Sequence, residues 1–531
     1  MDHVLLLLGV VIAICVLSHK LTEKVAIPSL LFFILLGMVF GENGIFRIRF
    51  DDYDLSNTIC STCLIFIMYY GGFGTNVKAA RSVAVKSILL STLGVALTAG
   101  ITGALTHLIL NLSWLESLLI GSVIASTDAA SVFNILRTKN LNLKDNTASL
   151  LELESGSNDP MSYMLTVVLV TLMAGSSISV PILLFKQIAF GILFGAVIGF
   201  GSAWLLAQED IIPSQGRTIF VFAVAVTSYA LPSLLGGNGY LSVYICGIIM
   251  GNVYLPQKKE LVRFFDVLTG IAQMMVFFLL GLLVTPAELP HVFIPALIIM
   301  AILTLVARPL SVFAVLAPFR SSIRQMGIVS WAGLRGVASI VFSIYAVLNH
   351  VELTYNIFNL VFCVVLISMA LQGTLLPKMS SLLSMIDNNV DVRRTFNDYQ
   401  EESDINFVKT TISLLHPWVN HRLQDVPIPP DFLIVLIIRK NHTFLVPNGS
   451  TVILPEDVLI IAAREFQNRA NLTLQEIAVG GKHRFANKLL RDLKLPSATL
   501  IVMIKRGEDT IIPAGNTKIY SGDTLVMAHY D

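Results

Sequence analysis

The stretch that decides the fold is NTASLLELESGSNDPMSYMLTVVLV, residues 146–170. It is long enough to cross the hydrocarbon core of a bilayer, which takes about 20 residues. Its centre nevertheless carries Glu152, Glu154 and Asp159. Ionisable side chains at that depth are costly, and by default they mark a functional site. The stretch therefore predicts a membrane span that handles charge.

The composition of the whole chain indicates a membrane domain followed by a soluble one. Of 531 residues, 55% are hydrophobic and 13% are charged, and the mean hydropathy is +0.75. Soluble domains carry about 25% charged residues. Thirty-two of the 71 charged residues lie from Asp391 onward, which predicts a transmembrane domain over residues 1–390. The net charge of +1 gives no reason to expect a nucleic-acid partner.

Thirteen apolar segments are candidate transmembrane helices, centred near residues 11, 34, 64, 98, 126, 160, 194, 226, 247, 273, 304, 337 and 368. Of the twenty Lys and Arg residues before residue 391, fifteen fall on one side of this arrangement and two on the other. Basic residues are enriched on the cytoplasmic side. We therefore expect an all-α polytopic membrane protein with its N-terminus outside and a small cytoplasmic α+β domain at its C-terminus.

A second carboxylate expected at membrane depth, Asp128, lies in the preceding span, within ASTDAA at 125–130. Asp128 and Asp159 each lie roughly 20 Å from the starts of their helices, at a rise of 1.5 Å per residue, so both fall near the midplane. On a helical wheel, Ser155 shares a face with Asp159, while Glu154 and Asn158 share the neighbouring face. One face can therefore present a carboxylate and a hydroxyl to a cation.

The chemistry of these side chains suggests how a cation is coupled to a proton. An alkali cation needs oxygen ligands, and unwinding of Ser126-Thr127-Asp128 would add carbonyl oxygens. Removal from water disfavours a bare carboxylate, so a proton and a cation compete for the single charge of Asp159. If only the neutralised site can cross the membrane, exchange is obligatory.

The deepest basic residue is Arg335, within WAGLRGVAS at 331–339. A buried guanidinium needs a carboxylate partner, and we expect Glu154, because pairing with Asp159 would disable the carrier. Arg308 is expected near the cytoplasmic end of its span, where its side chain would snorkel. The spans centred near 126 and 337 both carry small polar interruptions, as an inverted repeat of spans one to six by eight to thirteen would require.

These motifs resemble the monovalent cation:proton antiporter-1 family, in particular its bacterial NhaP type of Na⁺ or K⁺/H⁺ antiporter. The resemblance rests on Thr127-Asp128, Glu154 to Pro160, Gly239 to Gly247 with Gly251-Asn252, Gln273 to Pro286, and Gly333 to Gly336. It implies thirteen helices with inverted repeats and discontinuous helices. It also implies a dimerisation domain, a mobile core domain, a homodimer, and electroneutral exchange by an elevator-like movement.

The same resemblance assigns roles to residues of this sequence. It implies that Asp159 binds the ion, helped by Thr127, Asp128, Ser155 and Asn158, and that Glu154 and Arg335 form a structural pair. One position departs from the family, whose members often carry an acidic residue in the third span before a Gly-Gly pair. Tyr70 stands there in this chain. A phenol is a weaker ligand, so both K⁺ and Na⁺ stay open as substrates.

The C-terminal region contains an internal duplication. NHRLQDVPIPP at 420–430 recurs as NKLLRDLKLP at 487–496, at an offset of 67 residues that becomes 66 after the extra proline. Each copy predicts a short helix and two strands. The pattern resembles a tandem of the C-terminal lobes of domains that regulate potassium conductance (the TrkA-C type), over residues 400–478 and 479–531.

The TrkA-C resemblance implies dimerisation and, in some members, a cyclic dinucleotide or other regulatory nucleotide bound at the dimer seam. A purely dimerising scaffold is the alternative. By analogy, the tail favours K⁺ as the substrate.

The predicted function is exchange of a monovalent cation for H⁺ across a bacterial inner membrane, regulated by the tail and without a cofactor. A cation-coupled solute symporter is one alternative, although no further polar groups for an organic substrate accompany Asp159. A channel is another, although no TVGYG filter occurs. An intramembrane hydrolase is disfavoured, because the spans contain no HExxH, GxSxG or GxGD motif.

Overall fold

The computed structural model describes residues 29–387 and 405–530 with short gaps, together with residues 9, 13 and 14. The gaps are at 43, 76, 140, 176–178, 209–210, 214–215, 254, 256–257, 415, 429–431, 440–442, 465–471, 482, 494, 496–498, 508 and 512. Most of the first predicted span, centred near residue 11, therefore lies outside the described residues. The chain divides into two compact units, Met1–Glu401 and Glu402–Asp531.

The first unit is helical. Its helices are α1 (Ser29–Phe40), α2 (Tyr53–Gly74), α4 (Ala84–Leu110), α5 (Trp114–Val123), α6 (Ala129–Thr138), α7 (Thr147–Met173), α8 (Val180–Ala207), α9 (Arg217–Leu234), α10 (Gly239–Asn252), α11 (Lys258–Leu283), α12 (Leu289–Phe319), α13 (Ile323–Trp331), α14 (Val337–Leu348) and α15 (Ile357–Leu382), with the single turn Val77–Ala80 as α3. Helices α4, α12 and α15 each contain a π-helical turn, at Leu90–Gly94, Leu303–Ala307 and Ser368–Gly373.

Each predicted span from the second onward coincides with one of these helices or with two helices separated by a break. In the described part of the chain, six helices are long and apolar enough to cross a membrane: α4, α8, α9, α11, α12 and α15. The count of thirteen spans therefore stays a prediction. The discontinuous helices are confirmed, because breaks at residues 124–128 and 332–336 separate α5 from α6 and α13 from α14.

The two breaks meet each other, and we call this contact between residues 124–128 and 332–336 the crossing. The backbone N–H of Asp128 donates to the carbonyl oxygen of Leu334 at 2.8 Å. Ser, Thr and Asp side chains offer the backbone alternatives to helical hydrogen bonds, which explains why Ser126-Thr127-Asp128 interrupts its helix. Gly336 supplies the extended residue from which α14 begins, with φ −143° and ψ −152°.

Glycine allows the helices around this crossing to approach closely. A Cβ atom on Gly37 of α1 would lie 2.9 Å from the Cα atom of Gly281 in α11, and a Cβ on Gly251 of α10 would lie 2.9 Å from the Cα of Phe73 in α2. Both distances are shorter than real Cβ contacts. The missing side chains of Gly37 and Gly251 therefore allow α1 to pack closely on α11 and α10 to pack closely on α2.

The second unit consists of two four-stranded antiparallel sheets. Their strands are β1 (Ile405–Thr411), β2 (Phe432–Ile438), β3 (Phe444–Leu445), β4 (Val458–Arg464), β5 (Leu472–Ala478), β6 (Thr499–Arg506), β7 (Asp509–Ile511) and β8 (Thr524–Tyr530). The strand orders are β1-β4-β2-β3 and β5-β8-β6-β7. Each sheet is accompanied by one short 3₁₀ turn, Leu423–Asp425 or Leu490–Asp492, so the predicted duplication is confirmed.

The division between the repeats differs from the prediction. The predicted boundary between residues 478 and 479 assigns β5 to the first repeat, whereas β5 pairs with β8 over its full length in the second sheet. Strand β5 comes before the sequence motif by which the second repeat is recognised. A boundary placed between β5 and that motif therefore assigns β5 to the wrong repeat.

The offset between the repeats also changes at a different place. In β2 and β6 the equivalent residues Ile434 and Ile501 are 67 apart, while in β4 and β8 their partners Ile461 and Met527 are 66 apart. The one-residue deletion therefore falls after β6, in the connection to β8, rather than at the extra proline. Arg506 then corresponds to Arg439.

This register places an Asp–Arg pair in each repeat. Arg506 donates from Nε to Asp523 Oδ1 at 2.8 Å and from Nη2 to Oδ2 at 2.9 Å. In the first repeat, Arg439 Nε lies 3.7 Å from Asp457 Oδ1. The hydrogen bonds from the Arg506 guanidinium hold the pKa of Asp523 below its ordinary value.

We expect the second repeat to lose a stabilising interaction on acidification. Because the folded-state pKa of Asp523 is depressed, the pair stabilises the repeat above the unfolded pKa of about 3.9 and loses this contribution as the pH falls through the folded-state pKa. Hydrogen exchange of the β8 amides in the full-length protein, corrected for intrinsic rates, measures the loss. Asp523→Asn is expected to remove this pH dependence.

The matched control is Asp457→Asn, in the first repeat. The longer 3.7 Å contact there predicts a smaller change in protection of the β4 amides. Equal pH dependence in the two repeats would contradict this explanation.

Candidate functional site

The crossing of the two breaks borders a cavity of about 300 Å³. Its walls come from α1, α2, the break before α6, α6 itself, α7, α11 and the start of α14. Four carboxylates line it: Asp128, Glu152, Asp159 and Asp266. No Lys, Arg or His is among the described residues that line it. Walls of one charge sign concentrate ions of the opposite sign, so the cavity suits a cation.

Asp159 lines this cavity as a buried residue. Its side chain is 8% exposed, and Ser126 Oγ donates a hydrogen bond to Asp159 Oδ1. Ser126 itself comes from the unwound stretch before α6. The sequence predicted carbonyl oxygens from this stretch but not the hydrogen bond of the Ser126 hydroxyl to Asp159.

Thr127 and Ser155 are joined in the same wall. Ser155 Oγ donates to the carbonyl oxygen of Thr127 at 2.7 Å, and Thr127 Oγ1 donates to Ser155 Oγ at 3.0 Å. Asn158 Nδ2 donates to Thr127 Oγ1, and the Thr127 backbone N–H donates to Asn158 Oδ1 at 3.4 Å. Thr127 and Ser155 line the cavity, whereas Asn158 does not. Asn158 therefore positions the unwound segment at residues 124–128 instead of facing the cavity.

The predicted division of α7 into two faces is confirmed. Ser155 and Asp159 line the cavity, while Glu154 and Asn158 do not. Glu152, which the sequence analysis assigned no role in ion binding, also lines the cavity.

Asp128 lies between two helix N-termini. Its carboxylate caps α6 by accepting from the Ser131 N–H at 3.4 Å and from the Ser131 hydroxyl. It also packs against Gly336 at the start of α14, and a Cβ atom added to Gly336 would lie 2.6 Å from Asp128 Cγ. Helix N-termini favour negative charge, which stabilises the carboxylate in this position. Its contact with the transported ion stays a prediction.

The predicted pairing of Glu154 with Arg335 is wrong. Arg308 Nη2 donates to Glu154 Oε1 at 2.8 Å and to Oε2 at 2.9 Å, and both side chains are 1% exposed. Arg308 was expected to snorkel at the end of its span. Helix α12 instead continues eleven residues beyond it to Phe319, about 16 Å at 1.5 Å per residue, so the head group cannot reach that end.

Arg335 has a different task. Its Nη1 donates to the carbonyl oxygens of Ala125 at 2.7 Å and Ser126 at 2.8 Å, and its backbone N–H donates to Ser368 Oγ at 3.0 Å. These carbonyls follow α5, where the break leaves them without intrahelical partners. A cation at the C-terminal end of a helix is also favoured by the helix dipole. Arg335 therefore stabilises the unwound segment directly.

Tyr70 faces a carboxylate from another helix. It lines the cavity, and its hydroxyl donates to Asp266 Oδ1 of α11 at 3.3 Å. The sequence showed Tyr70 only as the loss of an acidic residue, and Asp266 is not among the residues predicted from it. The available signal was the helical spacing of Asp266, Thr269, Gly270 and Gln273, which all line the cavity.

Comparison with protein families matches most of the chain. Residues 7–381 match the family described as "Sodium/hydrogen exchanger, transmembrane". Residues 411–465 and 474–528 each match the TrkA-C domain. Both resemblances drawn from the sequence motifs are therefore confirmed, and the second TrkA-C match includes most of β5, as the sheet topology requires.

Two curated relatives match over most of the chain, and a third matches over a smaller part. The K⁺/H⁺ antiporter NhaP of Alkalimonas amylolytica is 32% identical over 466 residues, which cover 86% of this chain and 80% of the relative. The K⁺/H⁺ antiporter NhaP2 of Shewanella oneidensis is 32% identical over 499 residues, covering 92% and 86%. The Na⁺/H⁺ antiporter 1 of Methanocaldococcus jannaschii is 27% identical over 345 residues, covering 62% and 80%.

A solved structure shares the fold of the first unit. The electron-microscopy map of the sodium proton antiporter MjNhaP1 from Methanocaldococcus jannaschii matches with a TM-score of 0.63 and 24% identity, covering 72% of this chain and 98% of that one. The structure of the same protein at pH 8 matches with a TM-score of 0.59.

The ion pair between Glu154 and Arg308 predicts that a double variant recovers the stability that each single variant loses. Glu154→Gln or Arg308→Met alone leaves one buried charge without its partner, at a cost of about 3–5 kcal/mol, and should reduce the yield of folded protein. The double variant removes both charges and should recover yield and melting temperature. Size-exclusion profiles and thermal unfolding in detergent measure both.

Combining Glu154→Gln with Arg335→Met is the matched control. Arg335 is held by carbonyl oxygens instead of Glu154, so this combination should be at least as unstable as either single variant. Recovery by this combination, and not by the Arg308 one, would restore the pairing that the sequence suggested.

Proposed function

Because the chain belongs to the sodium/hydrogen exchanger family and is thus a cation/proton antiporter and not an enzyme, we propose that it exchanges K⁺ for H⁺ at Asp159. The observation that carries this proposal is the cavity. Four carboxylates and no basic side chain line it among the described residues, and Asp159 is a buried residue in this lining. We expect the exchange to take place across a bacterial inner membrane.

The choice of K⁺ rests on two observations. The two relatives at 32% identity are named K⁺/H⁺ antiporters, while the one at 27% is named a Na⁺/H⁺ antiporter. The tandem TrkA-C domains also favour K⁺ by analogy. Na⁺ is the alternative substrate, and parallel flux measurements with both ions distinguish them.

The coupling follows from the single charge of Asp159. Its carboxylate accepts from the neutral hydroxyl of Ser126, while the neighbouring Asp128 carboxylate is held by Ser131 at the N-terminus of α6 and lies against Gly336 at the start of α14. A carboxylate with one charge is neutralised by one K⁺ or one H⁺. We therefore infer one-for-one exchange without net charge movement.

We infer that the crossing moves as a rigid body during alternating access. The backbone hydrogen bond between the breaks, the Arg335 bonds to the unwound carbonyls, and the Glu154–Arg308 pair link α5, α7, α12 and α14. We propose an elevator-like movement of this body, in a homodimer with the N-terminus outside. The TrkA-C repeats would then regulate the movement, with a nucleotide as a candidate effector.

We expect Asp159→Asn to abolish exchange, because an amide can neither release a proton nor neutralise a cation. Dequenching of a pH-sensitive dye in everted membrane vesicles after addition of KCl measures this. Asp128→Asn should also abolish it, through the loss of charge beside the site. Glu352→Gln removes an exposed carboxylate away from the cavity and should retain exchange. Exchange at the wild-type rate by folded Asp159→Asn protein would falsify the proposal.

A truncation after Glu401, the end of the first compact unit, separates transport from regulation. We expect K⁺/H⁺ exchange to persist and its dependence on pH or on added nucleotide to change. Proteoliposomes with full-length and truncated protein at equal density provide the comparison. A truncated protein that is folded, inactive and unresponsive would show that the tail takes part in transport itself.

A further inference from the structure

Helix α11 presents a polar face to the cavity. Asp266, Thr269 and Gln273 all line it, at the spacing i, i+3 and i+7 that places side chains on one side of a helix. At 1.5 Å per residue, Thr269 lies about 4.5 Å and Gln273 about 10.5 Å along the axis from Asp266. Oxygen-bearing side chains therefore follow one another along the cavity wall.

The middle residue of this face has an unsatisfied hydroxyl. Thr269 is 8% exposed, and its Oγ1 has no hydrogen-bond partner within the described residues. A buried polar group without a partner costs about 1–3 kcal/mol. Since Thr269 lines the cavity, a hydrated or partly hydrated ion in the cavity can supply the missing interaction.

Asp266 is the exposed carboxylate of the same face, whereas Asp159 lines the same cavity as a buried residue. Asp266 accepts a hydrogen bond from Tyr70. Within the ranges that the structure describes, no Lys, Arg or His side chain forms an ion pair with it. Its charge is therefore available to a cation that approaches the cavity.

We propose that Asp266, Thr269 and Gln273 form a second, outer cation site, which binds a partly hydrated monovalent cation and delivers it to Asp159. The outer site rests on the proposed antiport function. The negative charge of the outer site comes from Asp266 of α11. Asp266 lies opposite Tyr70, which occupies the third-span position where related proteins often carry an acidic residue. The Tyr70 hydroxyl orients the Asp266 carboxylate, so the phenol contributes without binding as an anion.

The first experiment measures kcat/KM for K⁺ in proteoliposomes. Asp266→Asn should lower kcat/KM by about tenfold, the lower end of the range for electrostatic concentration of ions by a charged cleft. The rate at saturating K⁺ should change by less than twofold, because Asp159 is unaltered. Asp266→Glu should restore most of the loss.

Glu260→Gln is the matched control. It removes one exposed carboxylate from the first turn of the same helix, outside the cavity lining, and should leave kcat/KM unchanged. An unchanged kcat/KM in folded Asp266→Asn protein, or an equal loss in Glu260→Gln, overturns the outer site.

The second experiment detects binding without transport. Gly270 lines the cavity, and a Cβ added to it meets no atom within 4 Å, so Gly270→Cys provides a thiol beside the site. The four described native cysteines are buried, and the parent protein measures background labelling. K⁺ should slow labelling by a cationic thiol reagent in proportion to its occupancy of the site, relative to equal choline.

Labelling is measured in the Asp159→Asn background, so that its result does not depend on exchange. Protection by K⁺ that disappears when Asp266→Asn is added supports the outer site. Protection that is absent, or that persists without the Asp266 carboxylate, overturns it. Exchange that survives Asp159→Asn overturns the proposed function and leaves the labelling result to judge the outer site by itself.

Discussion

The structure of the first unit depends on the crossing of two broken helices. There, every buried charge needs an opposite charge and every unpaired backbone carbonyl needs a hydrogen-bond donor. Breaking α5 from α6 leaves carbonyl oxygens that cannot bond within the helix. Arg335 bonds to two of them. Glu154 and Arg308 compensate each other beside it. Without these interactions, the low dielectric of the interior would make the break prohibitively costly.

Among the described residues, this arrangement leaves Asp159 with a hydroxyl partner, Ser126, and without a guanidinium bond. Both buried arginines that could neutralise it have other partners. A permanent ion pair at Asp159 would occupy the charge that a transported ion has to neutralise. Separation of structural charges from the exchangeable one is therefore a condition for exchange. It explains how a single helix, α7, carries carboxylates with different tasks on adjacent faces.

Sequence patterns predicted the helices, both breaks and the cavity face of α7, because apolar length and helical periodicity determine them. They did not predict which arginine meets Glu154. Arg308 and Arg335 are both deep basic residues, and the choice between them depends on how far α12 continues beyond Arg308. Pro309 directly follows Arg308, and a proline suggests that a helix ends or kinks there, so the sequence did not show the true length of α12. Asp266 was missed because its neighbours along the chain are apolar and its contact with Tyr70 joins residues 196 apart. In the tail, β5 was assigned to the wrong repeat because it precedes the motif that identifies its own repeat.

The contact between Asp128 and Leu334 joins main-chain atoms. Main-chain bonds form with almost any side chain at either position, so this joint between the two broken helices does not depend on the side chains at positions 128 and 334. Side chains around the ion can therefore be exchanged, altering which ion is preferred, while the joint itself is kept.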